Sequence, residues 1–452
     1  KISRPMWSQE AYIKASNNDE NDNFGYEIAM DGNTLAVTAR YEDSNQTTIT
    51  NGTSSSSNNS NSNSGAVYIY KRTGTSWAQE AYIKASNSGV NDTFGSYVAL
   101  DNDTLAVTAR QEDSNQTTIT NGTSSSSNNS NGNSGAVYIY KRTGTTWAQE
   151  AYIKASNNDE NDYFGHSTAL DDDTLAVGAF TEDSNQTTIT NDNSSSSDNS
   201  RSDSGAVYVY KRTGTSWAQE AYIKSSNNDN GANGYSDSFG FRIALDNETL
   251  AVGAYGEDSN QTTITNGTSA SSDNSEQDSG AVYVYKRTGS SWAQEAYLKT
   301  SNSDDHDLVG YRVALDGDTL AVTARSDDSN QTTITNGTSS STNNSNTYAG
   351  AVFVYKRTGS SWAQEAYIKA SNNDASDYFG QYVELDKDTL AVGSTGEDSN
   401  QTTITNDNST ASSNNDSSSS GAVYVYKRTG TTWAQEAYIK ASNNGEGDSF
   451  GS

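Results

Sequence analysis

A repeat of about 70 residues runs through the whole chain and constrains its fold more than any other feature. Tryptophan occurs seven times, at spacings of 70, 70, 70, 75, 70 and 71 residues: Trp7, Trp77, Trp147, Trp217, Trp292, Trp362 and Trp433. A Phe-Gly pair follows the same period, with Val309-Gly310 as a variant. Such a period indicates that each unit is one small structural module that stacks against its neighbours.

Each unit contains four short runs of β-branched and aromatic residues, bounded by Gly, Asn and Asp. In the second unit these runs are Ser96–Leu100, Thr104–Ala109, Ala136–Tyr140 and Trp147–Ala155. Runs of this length and composition predict β-strands, and no segment has helical periodicity. Strict alternation along the fourth run would place Trp147, Ala151 and Ile153 on one face of the strand.

Four antiparallel strands in every 70 residues predict the blade of a β-propeller. The chain is therefore predicted to be all-β, with a single repeat domain over residues 1–452. Its full units are residues 24–93, 94–163, 164–238, 239–308, 309–378 and 379–449, and its partial units are residues 1–23 and 450–452. An open β-solenoid or a linear β-repeat array is the alternative fold.

The composition restricts the kinds of partner that the chain can bind. It has 57 acidic and 28 basic residues, which give a formal net charge of −29. This acidic excess disfavours binding to nucleic acid and to anionic membranes. No apolar run approaches the roughly 20 residues that cross a bilayer, and the absence of Cys excludes disulfides and thiolate metal sites. We expect neither a nucleic-acid partner nor membrane insertion.

The order of short motifs in each unit resembles that of the FG-GAP repeat. Phe-Gly is followed by Ala-Leu-Asp, by Leu-Ala-Val-Gly-Ala and by Gly-Ala-Val-Tyr-Val-Tyr. The FG-GAP repeat builds the propeller of integrin α subunits and of many bacterial surface proteins. The resemblance implies a propeller with seven four-stranded antiparallel blades, and an extracellular or cell-surface location. Six full units, with partial units at both ends, fit a seven-bladed ring.

Two departures from the family pattern bear on function. The proline of the GAP motif is absent, and the equivalent triplets read Gly178-Ala179-Phe180, Gly253-Ala254-Tyr255 or Thr38-Ala39-Arg40. The calcium loop of integrin repeats is also absent, because a short turn such as Asp31-Gly32-Asn33 stands between the first two strands. Integrin-type calcium sites are therefore not expected.

Alternating strand directions place the loops on two opposite faces. One face carries acidic inter-blade loops, with Asp19, Glu20 and Asp22 in the first. The other face carries a Lys-Arg pair in every unit, including Lys71, Arg72, Lys141, Arg142, Lys211 and Arg212. Faces of opposite charge would allow discs to stack head to tail. The plainer interpretations are that Lys-Arg only solvates a tight turn, and that Asp22 only caps an Asx-type turn.

The long loops between the second and third strands offer candidate metal ligands. Each loop carries one aspartate at the same position: Asp43, Asp113, Asp183, Asp258, Asp328 and Asp398. Loops that are rich in carboxylate, amide and carbonyl oxygens suit calcium, although this spacing matches no strict calcium motif. Calcium is the one cofactor that the sequence indicates.

The residues give little support to catalysis. His166 and His306 are the two imidazoles, and each occurs in one unit only. Near-identical repeats argue for many equal sites or for none, whereas a catalytic acid–base pair needs one special site. We therefore predict a non-enzymatic extracellular structural protein that assembles with itself, such as a filament or surface-layer subunit using head-to-tail or donor-strand contacts. The alternative is an adhesion propeller that binds a cell-surface protein or glycan, with or without calcium.

Overall fold

Every regular element among the described residues is a β-strand. The computed structural model describes residues 6–228, 236–406 and 411–452. Residues 1–5 of the first partial unit, 229–235 of the third full unit and 407–410 of the sixth lie outside the described residues. The described strands form six antiparallel sheets, which we number as blades 1 to 6 in chain order.

The strands of the first three blades have the following bounds. Blade 1 contains β1 (Phe24–Asp31), β2 (Thr34–Ala39), β3 (Thr50–Asn51), β4 (Ala66–Thr73) and β5 (Ser76–Ile83). Blade 2 contains β6 (Val98–Asp101), β7 (Thr104–Ala109), β8 (Thr120–Asn121), β9 (Ala136–Thr143) and β10 (Thr146–Ile153). Blade 3 contains β11 (Ser167–Asp171), β12 (Thr174–Ala179), β13 (Ala206–Thr213) and β14 (Ser216–Ile223).

The last three blades repeat this arrangement. Blade 4 contains β15 (Arg242–Asp246), β16 (Thr249–Ala254), β17 (Thr265–Asn266), β18 (Ala281–Thr288) and β19 (Ser291–Leu298). Blade 5 contains β20 (Val309–Asp316), β21 (Thr319–Ala324), β22 (Thr335–Asn336), β23 (Ala351–Thr358) and β24 (Ser361–Ile368). Blade 6 contains β25 (Phe379–Asp386), β26 (Thr389–Ser394), β27 (Ile404–Thr405), β28 (Ala422–Thr429) and β29 (Thr432–Ile439).

The prediction of four-stranded blades is wrong, because the long loop of each unit adds a short strand at the outer edge. In blade 2 the order is β6-β7-β9-β10-β8, and Thr120 and Asn121 of β8 pair with Tyr152 and Ala151 of β10. An isolated bridge takes the place of this strand in blade 3. The β-branched Ile-Thr pair of the loop favours this pairing along an edge that would otherwise be open.

The six blades surround a common axis. The first strands of successive blades contact one another from β1 through β6, β11, β15 and β20 to β25. Glu27 of blade 1 and Arg312 of blade 5 lie on opposite sides of blade 6 in the ring, yet the Glu27 Oε1 and Arg312 Nη1 atoms are 3.8 Å apart. A contact of this kind requires a closed arrangement, so the fold is a six-bladed propeller and not an open solenoid.

The prediction of seven blades is also wrong. Residues 7–15, which belong to no sheet, connect blades 6 and 1 in place of a seventh blade. Residues 7–15 pair with no strand in the described part of the chain. The backbone of Trp7 bonds to the side chain of Asn406 in blade 6, through Trp7 N to Oδ1 and Nδ2 to Trp7 O. Glu10 accepts two hydrogen bonds from Arg72 in blade 1, each 2.7 Å long.

The hydrophobic core is divided among the interfaces between blades. Between blades 1 and 2, Val67, Ile69 and Ile83 pack against Tyr138 and Tyr140, and all five side chains are buried. Equivalent clusters fill the other interfaces between full blades. A single blade is therefore too thin to bury its own apolar surface, and each depends on its neighbours.

The interface between blades 6 and 1 is filled only in part. Ile13 and Ala15 pack there against Tyr68 and other residues of blade 1. Further toward the axis, Ile28 and Met30 of β1 are 63% and 64% exposed. The equivalent apolar residues of the other blades are covered to a greater degree.

A β-bulge at Glu150 changes the alternation of side chains along the fourth strand. Tyr140 pairs with Gln149 and Ile139 pairs with Ala151, so Glu150 is the extra residue. Trp147 consequently packs toward blade 1, whereas Ala151 packs toward blade 3. The prediction that Trp147 and Ala151 share a face is therefore wrong, because one inserted residue reverses the pleat.

Candidate functional site

The Lys-Arg pairs lie near the end of the third strand, before the turn in which they were predicted, and each arginine is tied to the preceding blade or, for Arg72, to the segment of residues 7–15. Arg142 of blade 2 donates two hydrogen bonds to the bulge residue Glu80 of blade 1, at 2.6 and 2.7 Å, and Trp147 Nε1 donates to the same carboxylate at 3.1 Å. With these contacts the side chain of Arg142 is 14% exposed. Arg72 and Arg212 have the corresponding partners Glu10 and Glu150.

The lysines of these pairs bond within their own blade. Lys71, Lys141 and Lys211 each donate from Nζ to the Oγ1 atom of a threonine at the start of the second strand. These arginines and lysines therefore serve the framework. Their role as an assembly surface stays a prediction.

The acidic inter-blade loops contain one buried and two solvent-facing carboxylates. Asp22 is 5% exposed, and its Oδ2 atom accepts a hydrogen bond at 3.3 Å from the backbone amide of Asp19, three residues earlier. In an Asx-type turn the bonded amide would follow the aspartate, so this bond closes the loop in a different way. Asp19 in turn accepts from Asn59 Nδ2 at 2.9 Å, and Glu20 is exposed. Burial raises the pKa of Asp22 to about 6.

The six loop aspartates that were predicted as calcium ligands each brace their own loop. Asp113 is representative, since its Oδ1 atom accepts a hydrogen bond from Asn133 N at 2.8 Å. Asp43, Asp183, Asp258, Asp328 and Asp398 accept from the equivalent backbone amide. In the described part of the chain, no three His, Cys, Asp or Glu side chains are grouped so that they could hold a metal ion. Calcium binding stays a prediction.

Beneath the acidic loops, every blade contains a buried ion pair that the sequence analysis did not identify. In blade 2, Lys154 Nζ lies 2.8 Å from Glu112 Oε2, and the two side chains are 0% and 1% exposed. Tyr152 and the backbone amide of Ser114 also donate to Glu112. Burial lowers the pKa of Lys154. In blade 5 an aspartate, Asp327, replaces the glutamate.

Five arginines that belong to none of these ties gather around the propeller axis, at the end of the inner strands that faces the acidic loops. We call them the arginine cluster: Arg40, Arg110, Arg242, Arg312 and Arg325. Two positions supply them, the second residue after Phe-Gly and the first residue of the long loop. Both lie next to the axis because the first two strands are the innermost of each blade.

Aromatic rings support the guanidinium groups of the cluster. The Cζ atom of Arg40 lies 3.6 Å from the ring centroid of Tyr26, and that of Arg312 lies 3.9 Å from the centroid of Tyr382. The Cζ atom of Arg242 lies 4.6 Å from the centroid of Tyr97, which belongs to a blade two places away. Cation–π contacts of this kind hold a guanidinium group in place without consuming its N–H donors.

His166 joins the cluster from blade 3. Its ring centroid lies 4.2 Å from that of Phe180 and 4.8 Å from that of Phe241. Arg110 Nη1 lies 3.3 Å from His166 Nδ1. Because arginine can only donate, Nδ1 accepts and Nε2 carries the proton. Burial lowers the pKa of His166 well below its usual value, and the nearby Arg242, Arg110 and Arg312 charges lower it further.

Several polar atoms of the cluster have no hydrogen-bond partner among the residues that the structure describes. They are the donors Arg40 Nε, Arg110 Nε, Arg242 Nε and His166 Nε2, and the acceptor Glu27 Oε1. Arg242 and His166 are only 8% and 5% exposed. Burial raises the pKa of Glu27 above its usual value, although the positive charges of Arg312, Arg242 and Arg40 oppose this increase. Buried polar groups are seldom left unpaired in folded proteins, so these atoms mark a place where a ligand can supply the missing partners.

The sequence contained a signal for this cluster that the analysis of the repeats passed over. The position that carries proline in the GAP motif is occupied by Arg40, Arg110, Phe180, Tyr255, Arg325 and Thr395. The two residues after Phe-Gly vary equally, from Tyr26-Glu27 to Phe241-Arg242. These positions differ between units whose framework is almost identical. At the axis, six blades therefore contribute different residues to one cluster, and the expectation of many equal sites or none stays a prediction.

Comparison with solved structures finds only distant likenesses. An acylaminoacyl peptidase in complex with a chloromethyl ketone aligns with 90% of this chain and 45% of its own, at 9% identity and a TM-score of 0.39. A Trypanosoma rangeli sialidase aligns with 92% of this chain and 54% of its own, at 10% identity and a TM-score of 0.34. The chain thus spans about half the length of these proteins. A likeness of this degree supports no statement about function.

Comparison with protein families is more informative. No curated protein matches the sequence. The family model of the FG-GAP repeat, however, matches five segments: residues 7–70, 77–140, 147–210, 292–355 and 362–426. Together these segments cover well over half of the chain, and each runs from a Trp into the third strand of the following blade. The chain therefore belongs to the FG-GAP repeat family.

Proposed function

We propose that this FG-GAP propeller is a non-enzymatic binding protein, at the cell surface or outside the cell, which holds an anionic group at the arginine cluster. The observation that carries the proposal is the gathering of five arginines around the axis, three of which have an Nε atom without a hydrogen-bond partner among the described residues. The framework cations are engaged elsewhere, in six buried lysine pairs, in five arginine ties between blades and in the tie of Arg72 to Glu10.

The charge distribution supports a site for anions. The chain as a whole carries a formal charge of −29, so five guanidinium groups around one axis form a local exception. Arginine presents planar N–H donors that match a carboxylate, sulfate or phosphate. The contacts to aromatic rings also restrict the side chains before a ligand arrives, which reduces the entropy lost on binding.

Thermal unfolding with added anions tests the proposal. At constant ionic strength, sulfate, citrate and acetate should raise the Tm, because a ligand that binds the folded state alone stabilises it by about 2.7 kcal/mol at 100 times its Kd. The anion-dependent part of the increase should be lost in Arg242→Gln and Arg312→Gln. Lys387→Gln removes the same charge from an exposed turn and should keep the increase.

Two results would contradict the proposal. One is the absence of any stabilisation by these anions in the unaltered protein. The other is equal stabilisation of Arg242→Gln and Lys387→Gln, which would reduce the effect to general screening. Repeating the series with calcium and with EDTA tests the calcium dependence expected from the loop aspartates.

Assembly with a second copy of the chain is the second candidate function. The exposure of Ile28 and Met30 beside the partly filled interface between blades 6 and 1 favours it, because large apolar side chains on a sheet face usually pack against something. Sedimentation velocity at increasing concentration should show dimers or larger species, and Ile28→Asp should abolish them. A monomer at all concentrations would leave binding as the better function.

A further inference from the structure

We propose that the anionic ligand is a single sugar acid, a pyranose ring that carries one carboxylate, bound as a free monosaccharide or as the end of a glycan. This inference rests on the proposed function, because it names the kind of anion that the arginine cluster holds. It depends on three features of the cluster: its unpaired donors, its one unpaired acceptor and its acidic surroundings.

The unpaired atoms require a ligand that both accepts and donates hydrogen bonds. Arg242 Nε and His166 Nε2 are donors, and each belongs to a side chain that is at least nine-tenths buried. A carboxylate has acceptor sites for several such donors. Glu27 Oε1 lies 3.8 Å from Arg312 Nη1, beyond hydrogen-bond distance, and accepts no hydrogen bond from the described residues. It can therefore accept an O–H or N–H group of a ligand. Sulfate and acetate cannot donate to Glu27, whereas a sugar acid brings several hydroxyl groups together with its carboxylate.

The aromatic residues of the cluster suit a ring. Phe241 lies at its centre, with ring centroids 4.8 Å from His166, 4.5 Å from Tyr255 and 5.4 Å from Tyr311. The C–H groups on one side of a pyranose ring are apolar and pack well on aromatic surfaces. Predominantly aromatic walls with a few placed polar groups are the usual composition of a small-molecule site.

The surroundings favour one acidic residue over a polyanion. The inter-blade and long loops that encircle the cluster carry carboxylates in every unit, including Asp19, Glu20 and Asp43. At physiological ionic strength, charges act over a distance of about 8 Å. A polymer with a charge on each residue would therefore be repelled where it crosses these loops, whereas a ligand with one carboxylate can place its only charge beside the arginines and its hydroxyl groups beside Glu27.

Calorimetric titration with D-glucuronate and D-glucose tests the inference, because the two sugars differ at C6, where one has a carboxylate and the other a hydroxymethyl group. We expect glucuronate to bind at least tenfold more tightly than both glucose and acetate. Arg242→Gln should weaken glucuronate binding at least tenfold, and Lys387→Gln should leave it unchanged. Heparin, a polyanion, should bind more weakly than glucuronate.

Glu27→Ala separates a sugar acid from a plain anion. The loss of the acceptor should weaken glucuronate binding several-fold, whereas the loss of a negative charge should strengthen the binding of sulfate. If sulfate binds and glucuronate binds no better than acetate, the inference is wrong and the proposed function stands. If heparin binds more tightly than glucuronate, the inference is wrong in the same way. If no anion binds, both fail.

Discussion

The side chain of Asn121 in blade 2 brackets the backbone of Trp217 in blade 3. Its Oδ1 atom accepts from Trp217 N at 2.7 Å, and its Nδ2 atom donates to Trp217 O at 3.3 Å. The amide thus imitates one residue of a β-ladder across two blades that share no sheet. The same bracket joins Asn51 to Trp147, Asn191 to Trp292, Asn266 to Trp362, Asn336 to Trp433 and Asn406 to Trp7.

Removal of one bracket should destabilise the propeller. Asn121→Ala takes away two hydrogen bonds between blades, and we expect the free energy of unfolding to fall by about 1–3 kcal/mol. Unfolding in urea, followed by tryptophan fluorescence, measures the change. Asn115→Ala alters an exposed asparagine of the same loop and is the matched control. An equal effect of the two substitutions would show that the bracket contributes nothing.

The glycine that opens the third strand should tolerate no side chain. Gly135 has a φ of +83°, and a Cβ atom there would lie 2.0 Å from the carbonyl oxygen of Phe164 in the next blade. Gly135→Ala should therefore lower stability by more than about 3 kcal/mol, because backbone strain and a clash act together.

Gly144 is the control for this substitution. It also has a positive φ, of +65°, but a Cβ atom would meet nothing within 4 Å. Gly144→Ala should cost only about 1 kcal/mol, the strain of a left-handed conformation. Comparable thermal midpoints for the two variants would contradict the close approach of Gly135 to the Phe-Gly pair.

The buried ion pair of blade 2 should show the penalty for one unpaired charge. Lys154→Met leaves Glu112 buried without its cation, and we expect a loss of about 3–5 kcal/mol. The double variant Glu112→Gln with Lys154→Met removes both charges and should recover much of that loss. Chemical denaturation of the three proteins measures the difference, and a double variant less stable than Lys154→Met would contradict the expectation.

The buried aspartates before Phe-Gly should make the protein less stable as the pH rises from about 4 to 8. Burial raises the pKa of Asp92 to about 7 and of Asp162 and Asp377 to about 8, against a model-peptide value of 3.8. The folded state therefore holds more protons than the unfolded state within this window. Their stabilising contribution is full below pH 4 and is lost as the pH rises through the folded-state pKa values.

Replacement of these three aspartates by asparagine isolates their effect. Asparagine imitates the protonated carboxyl group and can still accept the capping hydrogen bond, which Asp92 receives from Gly89 N at 2.7 Å. We expect the triple variant to be more stable than the unaltered protein at pH 8, and we expect the difference to shrink steadily as the pH falls toward 4. Asp305→Asn, at an exposed position, is the control. Parallel pH profiles of the triple variant and the unaltered protein would contradict the shifted pKa values.

The sequence was sufficient to predict the strands, the all-β class and the propeller. Short alternating runs such as Thr104–Ala109 favour strands through local sterics, and their 70-residue period implies modules that bury surface only against one another. The variable residues of the axis, Arg242 and His166 among them, were also visible, but spacing alone did not show that residues from six units converge.

Tertiary structure decided what those residues do. The blade number depends on how residues 7–15 fit between blades 6 and 1. This fit depends on contacts between residues that are far apart in the sequence, such as the hydrogen bond between Trp7 and Asn406, which are more than 390 residues apart. The bulge at Glu150 places Trp147 and Ala151 on opposite faces of the strand, whereas simple alternation predicts that they share one face. Local preferences are encoded within a few neighbouring residues, whereas the ring brings Glu27 and Arg312 together only after every blade is in place.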